Sequence, residues 1–398
     1  MKLKEPYLII DLNDNKIIFF VISFNEKKDF KILKKIILES SGIQNGRIID
    51  IESVSQLLKK NINNLEEALD YFFSVAAVII NPNQVNCLNV SGYKKLNGSQ
   101  VSSEDITYIL NDIKKIILDS ENNYSLVHLF NSNFSLDSDN LENLPIGLFG
   151  EFYNQNMTFF LVNKNYLKNL KSVFNNCGLN IEKIMLKSFA DGVNLLSNNN
   201  LDKNFTILRL EKNRINISLF KNKSFVYTEN FNFGFNLITK DISKLCSLKS
   251  EEVESFIRET ELKNVMKNNS ESYLDKKYFQ VSPYRKIKYQ LILDIIKSRL
   301  EELFEVCHTK NTNLKNLRNN DNIYVFVETS EYFKNIQFAL QESNLAPLAH
   351  IYDNTESNLL SAVTGASELL GKGWEKEAIP MVQGKKSFIS GFFSKLFS

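Results

Sequence analysis

Apolar positions along the chain fall into short runs and longer stretches of helical period, alternating from end to end. Leu8–Leu12 and Ile17–Ser23 flank the polar triplet Asn13-Asp14-Asn15, which predicts a β-hairpin with the triplet as its turn. Ile48–Ile51 predicts a short strand, and Ile51–Phe73 a helix with Val54, Leu57, Leu58 and Ile62 on one face. Asn86–Val90 is a short apolar segment. Ser103 is then the expected N-cap of a helix carrying Ile106, Ile109, Leu110, Ile113 and Ile116, with Glu104 and Asp105 suiting its dipole. Thr158–Val162 predicts a strand, Tyr166–Asn176 a helix stopped by Gly178, Asn180–Met185 a strand and Phe189–Leu196 a helix.

Leu196–Asn204, with three consecutive Asn, predicts a connection between lobes. Phe205–Leu210, Ile215–Phe220 and Ser224–Phe231 then repeat the strand–turn–strand pattern of the N-terminus, and helices follow each time, so the pattern predicts two related α/β lobes. Ile287–Val306 predicts a long amphipathic helix, Asn322–Val327 a strand, Phe333–Glu342 a helix and Leu359–Leu370 the last core helix. Gly371–Gly384, with three Gly and one Pro, predicts a flexible linker. In the final segment Phe388, Ile389, Phe392, Phe393, Leu396 and Phe397 fall on one helical face, with Ser and Lys395 opposite and Lys385 and Lys386 just before it. This is the composition of a helix lying in a bilayer interface with Lys near anionic headgroups; at about 20 Å it is too short to span. Docking onto the protein's own core or a partner is the alternative, and the Gly/Pro-containing stretch before it argues against self-docking.

Length and composition narrow the picture only modestly. The 398 residues suit two or three domains, and a net charge of +2 gives no bias toward nucleic acid. Cys87, Cys177, Cys246 and Cys307 form no CxxC pair, and with only His128, His308 and His350 no zinc pattern can be assembled. Isolated cysteines of this kind are expected to be buried small apolar residues in a reducing cytosol. No signal peptide is visible, and no stretch approaches the roughly 18–20 apolar residues of a spanning helix, so membrane contact is expected only from the surface.

Several segments together resemble one family. Ser41–Asp50 (SGIQNGRIID) resembles a signature near the N-terminus of the bacterial cell-division protein family FtsA. Val90-Ser91-Gly92, Asn143–Gly150 (NLPIGLFG) and Asn176-Cys177-Gly178-Leu179 are similar to further family stretches, as are Asn232-Phe233-Gly234 with Thr239, Asp241 and Ile242, and Ile296, Arg299, Glu302 and Leu303. They occur in family order over almost the whole chain. The resemblance implies an α/β, actin-like two-lobe fold with an FtsA-type relocated small subdomain and a C-terminal amphipathic helix. Residues 1–83 and 161–200 would form the first core subdomain, 84–160 the inserted subdomain serving self-association and recruitment, and 201–240 with 316–370 the second core subdomain. Residues 241–315 would be the small subdomain that binds the FtsZ tail, 371–384 the linker and 385–398 the membrane helix. The family also implies filaments, anionic inner-membrane lipids, later division proteins and a peripheral position on the cytoplasmic face at the septum. A scaffold of another membrane machine, such as a type IV pilus base, is the alternative; an ATP-dependent kinase is disfavoured by the missing glycines.

The nucleotide site that the resemblance implies looks eroded. Phosphate oxygens must reach backbone N–H groups, which glycines leave accessible. The first hairpin reads Asp11-Leu12-Asn13-Asp14-Asn15-Lys16, keeping the acid and Lys16 but carrying Asn13 for Gly. The second, Leu210–Ile217, lacks every glycine and both aspartates of the family pattern, and the adenosine loop near Val327-Glu328-Thr329 has none. ATP binding is therefore doubtful, with no hydrolytic machinery and no metal site expected. The opposing view keeps ATP: Asn13 and Asn213 tolerate left-handed turns, and Lys212 and Arg214 supply charge. Vestigial site residues are Asp11, Asn13, Lys16, Lys212, Asn213, Gly234 and Glu328. For an FtsZ tail the candidates are Tyr284, Arg285, Lys286, Lys288, Leu291, Arg299 and Glu302, a set that also fits a solvated helix face.

Overall fold

The computed structural model describes residues 5–198, 203–268, 272–317, 322–328, 330–352 and 355–378. The first hairpin forms between β1 (Tyr7–Leu12) and β2 (Lys16–Phe24), paired antiparallel from Tyr7↔Ile22 to Leu12↔Ile17. β3 (Phe30–Glu39) extends the sheet beyond β2, and the small ribbon β4 (Ile43–Gln44) and β5 (Arg47–Ile48) leads into α1 (Ile51–Leu69). Asp50 caps α1 by accepting from the Ser53 N–H at 3.0 Å. β6 (Val75–Ile80) and, much later, β11 (Asn180–Leu186) join in parallel, giving the order β11-β6-β1-β2-β3. Leu8 to Ile10 and Phe19 to Ile22 are fully buried, as strands covered on both faces require. The edge strand β3 is largely exposed and carries Lys31, Lys34 and Lys35, charges that discourage edge pairing.

Between β6 and β11 the chain builds a second sheet. β7 (Asn86–Lys95), α2 (Ser103–Ser120), β8 (Tyr124–Leu136), β9 (Asp139–Leu141) and β10 (Phe152–Asn163) assemble as β7-β10-β8-β9. Ile106, Ile109, Leu110 and Ile113 of α2 pack in one cluster with Leu129, Phe134, Tyr153, Met157 and Phe159. A Cβ on Gly92 would come within 2.3 Å of Ile109, so this glycine lets α2 lie close on β7. The cap of α2 is Ser102, not Ser103: its hydroxyl accepts from the Asp105 N–H while the Asp105 carboxylate accepts from the Ser102 N–H. Ser102 stands three residues before Asp105, the spacing this reciprocal pair needs. The chain returns through α3 (Lys164–Asn176), β11 and α4 (Lys187–Asn198).

By Cα packing the chain groups into two units: the first takes the described residues of Met1–Asn204, Phe220–Thr228 and Ser361–Ser398, the second Phe205–Leu219 and Glu229–Leu360. Another hairpin ribbon, β12 (Phe205–Leu210), β13 (Ile215–Lys221) and β14 (Ser224–Phe231), is followed by α5 (Asn236–Cys246), α6 (Ser250–Glu259), α7 (Leu262–Asn268) and α8 (Tyr289–Phe304). β15 (Asn322–Val327), α9 (Ser330–Gln341), β16 (Ala349–Ile351) and α10 (Thr355–Lys372) complete the chain, and the sheet order is β14-β13-β12-β15-β16. β15 runs parallel to both β12 and β16. α8 starts at Tyr289 rather than Ile287, because the Ile287 carbonyl accepts from the Leu274 N–H in a short bridge.

The stretch read from sequence as a linker differs most. Gly371 and Lys372 are the last residues of α10, and Trp374–Ala378 is packed, with Glu377 and Ala378 buried. The Ala378 N–H donates to the Leu129 carbonyl at 2.7 Å and the Asn131 N–H to the Lys376 carbonyl at 3.0 Å, adding a short antiparallel strap to β8. Backbone pairing needs no apolar run, so composition alone misread these residues. Residues 379–384 lie outside the described residues.

Candidate functional site

In the first hairpin, Asp11 is fully buried and its Oδ2 accepts from Lys187 Nζ at 3.0 Å, with Lys187 itself 2 % exposed. Lys187 opens α4 directly after β11, so the parallel arrangement of β1, β6 and β11 brings it beside β1. The turn uses its own donors. The Asn13 N–H donates to the Lys16 carbonyl at 3.2 Å, and the Asp14 N–H to Asn13 Oδ1 at 2.8 Å. The Asp14 carboxylate accepts from the Gly46 N–H at 2.7 Å. Asn13 has no left-handed φ; its side chain bonds within the turn instead. Lys16 is half-buried on the strand beyond.

The second hairpin carries a second internal pair. Arg214 Nε donates to Glu211 Oε2 at 3.0 Å, both side chains being 3 % exposed or less. The Glu211 N–H closes the turn on the Arg214 carbonyl at 2.9 Å. Gly234 lies against this turn: a Cβ there would meet the Glu211 carbonyl oxygen at 2.2 Å and the Arg214 nitrogen at 2.7 Å. The Phe235 and Asn236 N–H groups donate to the Glu211 and Lys212 carbonyls, and the Asn236 amide to Asn213 Oδ1 at 2.7 Å. Asn213 also lacks a left-handed φ, and exposed Lys212 faces Glu254 at 3.5 Å. Glu328 is buried at the end of β15, where its N–H donates to the Leu210 carbonyl; Thr329 lies outside the described residues. These hairpins fit a Mg-nucleotide poorly: the Asn13, Asp14 and Glu211 N–H groups are bonded within the turns, and Asp11 and Glu211 each already meet a cation of this chain.

A different set of side chains gathers before α8. Tyr284 is 44 % exposed, stacks edge-on to Phe279 at 5.1 Å and receives Lys276 Nζ at 5.1 Å from its ring centroid. Lys286 Nζ lies 5.9 Å from the Tyr273 ring, and Tyr273 bridges to Lys288. Arg285, Lys288 and Leu291 are exposed. Glu252 holds the loop from below: its carboxylate accepts from the Val281, Ser282 and Lys249 N–H groups and the Ser282 hydroxyl. Burial raises the pKa of that carboxyl, but these donors outweigh it and pull the value down to about 2. Arg299 is not among the exposed cations. It is half-buried and pairs with Asp241 and, at 2.7 Å, with the exposed Glu302.

Sequence reasoning missed the strap and its anchor. His128 and Glu377, both at most 1 % exposed, meet at 2.7 Å, and the Leu186 N–H donates to His128 Nε2 at 3.1 Å. Trp374 Nε1 donates to the Lys223 carbonyl and Lys376 Nζ to the Glu142 carbonyl. The only available signal was two acids and one Trp inside a stretch otherwise read as linker. Of the cysteines, Cys246 and Cys307 are buried while Cys87 and Cys177 are half-buried, which corrects half of that expectation. Burial pushes the Cys177 thiol up to about 11 and Cys307 up to about 12, so neither is a ready nucleophile. The predicted membrane-face residues Lys385, Lys386, Phe388, Ile389, Phe392, Phe393, Lys395, Leu396 and Phe397 lie outside the described residues. Among the described residues no helix is long and apolar enough to cross a membrane.

No family model matches the chain. It is similar to the cell division protein FtsA of Buchnera aphidicola subsp. Schizaphis graminum, 19% identical over 303 residues, covering 76% of this chain and 72% of that protein. The FtsA of Buchnera aphidicola subsp. Baizongia pistaciae is 21% identical over 346 residues, 82% of each. That of Neisseria meningitidis is 21% identical over 245 residues, 61% of this chain and 59% of that protein. Among solved structures, the PilM-PilN type IV pilus biogenesis complex matches with a TM-score of 0.58 at 10% identity, over 91% of this chain and 97% of that one. The ethanolamine utilization protein EutJ of Carboxydothermus hydrogenoformans matches at 0.50 and 11%, over 92% and 89%. The chain is thus similar to several FtsA proteins along most of its length, and its α/β units, each opened by a strand hairpin, have the actin-like fold of these solved structures.

Proposed function

We propose that this chain is a cell-division protein that ties FtsZ to the cytoplasmic face of the inner membrane and helps assemble the division machinery, without catalysing a reaction. The observation that carries this is the match to FtsA proteins over up to 82% of the chain, joined to the apolar-and-lysine pattern of residues 385–398. A lone helix of this size binds a bilayer reversibly, so self-association of many copies supplies firm attachment through avidity. The cationic, aromatic surface of Tyr273, Lys276, Tyr284, Arg285, Lys286 and Lys288 suits a peptide bearing carboxylates and apolar side chains, and it is the surface assigned to the FtsZ tail. The non-catalytic view is supported by a second hairpin whose acid, Glu211, is held by Arg214.

Cosedimentation tests both halves. The full chain should pellet with vesicles containing anionic lipid and recruit FtsZ to them, and Phe392→Asp with Phe393→Asp should abolish pelleting while leaving FtsZ binding intact. Retained pelleting would sink the anchor assignment. The likeness to PilM favours one alternative, a scaffold for a pilus-type machine; absence of FtsZ binding by a folded, vesicle-bound chain would favour it.

A further inference from the structure

The two hairpins, each taken by itself, share a feature that no glycine count reveals. Each carries one fully or nearly buried carboxylate, and each carboxylate is met by a cation from this same chain: Lys187 on Asp11, Arg214 on Glu211, both at 3.0 Å. Burying a carboxylate without compensation is strongly unfavourable, and here each of these acids meets a cation. In a nucleotide-dependent protein that cation arrives with the ligand and leaves with it. Here it is covalently part of the chain. Lys187 lies 176 residues beyond Asp11 in sequence and reaches it only through the β1-β6-β11 arrangement, and it is 2 % exposed. The turn donors are likewise satisfied internally, at Asn13, Asp14 and Glu211, and the Gly234 loop is packed against the second turn.

We propose that Lys187 and Arg214 are built-in counter-ions that make the two hairpins self-sufficient, so that the folded state neither needs nor accepts a Mg-nucleotide. This rests on the resemblance to FtsA proteins but not on the membrane-anchor proposal, and its test uses no vesicles and no FtsZ, so either can fail alone.

The full chain is titrated with Mg-ATP by calorimetry up to millimolar nucleotide, and its thermal midpoint is recorded with and without Mg²⁺. No heat and no shift are expected; binding in the micromolar range, or a midpoint raised by Mg-ATP, overturns the proposal. Lys187→Ala then leaves Asp11 buried beside vacated space. Its midpoint should fall, and combining it with Asp11→Asn, which no longer carries the acid, should restore part of the loss. A double variant no more stable than Lys187→Ala would show the pair to be ordinary core packing and overturn the counter-ion assignment. Should Lys187→Ala not fold, the wild-type titration still decides whether the hairpins accept nucleotide, and Lys187→Gln, closer in size, takes its place in the comparison with the Asp11→Asn double variant.

Discussion

Replacing Glu377 by Ala should release the strap without unfolding the sheet it covers. The Leu186 N–H donates to His128 Nε2, so the ring proton that faces Glu377 is on Nδ1 and donates to a carboxylate at 2.7 Å. A hydrogen bond to a charged group contributes about 1.5–3 kcal/mol, and its loss leaves the Nδ1–H buried without an acceptor. Taking about 2 kcal/mol for the local opening gives an approximately 30-fold larger open population. Two amides report on that opening directly: Asn131 N–H, bonded to the Lys376 carbonyl, and Ala378 N–H, bonded to the Leu129 carbonyl. Native-state hydrogen exchange should accelerate at both by about 30-fold in Glu377→Ala, while amides between β10 and β7, which do not touch the strap, keep their protection. Uniform acceleration through the whole sheet, or none at Asn131 and Ala378, would refute the idea that Trp374–Ala378 opens as a separate unit held by this pair.

Glu252→Gln should lower stability at neutral pH and change its acid profile. Because the folded pKa lies below the usual carboxylate value, the wild-type contribution is full above pH 4.5 and is lost as pH falls from 4.5 toward about 2, so melting curves of the two proteins should converge over that range. Gly365→Ala should destabilise by about 1–3 kcal/mol in denaturant titration, since its Cβ would lie 1.8 Å from the Ala190 carbonyl oxygen and force α10 away from α4. Arg285→Glu with Lys288→Glu should weaken binding of an FtsZ tail peptide by about tenfold, or about 1.4 kcal/mol, and flatten its salt dependence, as read by fluorescence anisotropy. An equal loss on changing Arg299, which is already paired with Asp241 and Glu302, would argue against that surface.

Where an element is defined by local periodicity, the chain alone determined it. The β1–β2 hairpin, the strand Asn322–Val327, the repeated ribbon from Phe205 to Phe231 and the Gly178 stop after α3, with φ of 75°, were legible because side-chain alternation and turn chemistry act over a few residues. β3, β6 and β8 were not singled out: β3 is a mostly exposed edge strand, and β6 and β8 take their meaning from partners far away in sequence. The roles of Asn13 and Asn213 were misjudged because a residue's tolerance of left-handed φ does not say whether the turn uses it. Only the tertiary structure could decide what satisfies the buried charges. Asp11 meets Lys187 across 176 residues, and His128 meets Glu377 across 249. Those pairings follow from strand order rather than from spacing along the chain, and a buried polar pair leaves no periodic trace in sequence.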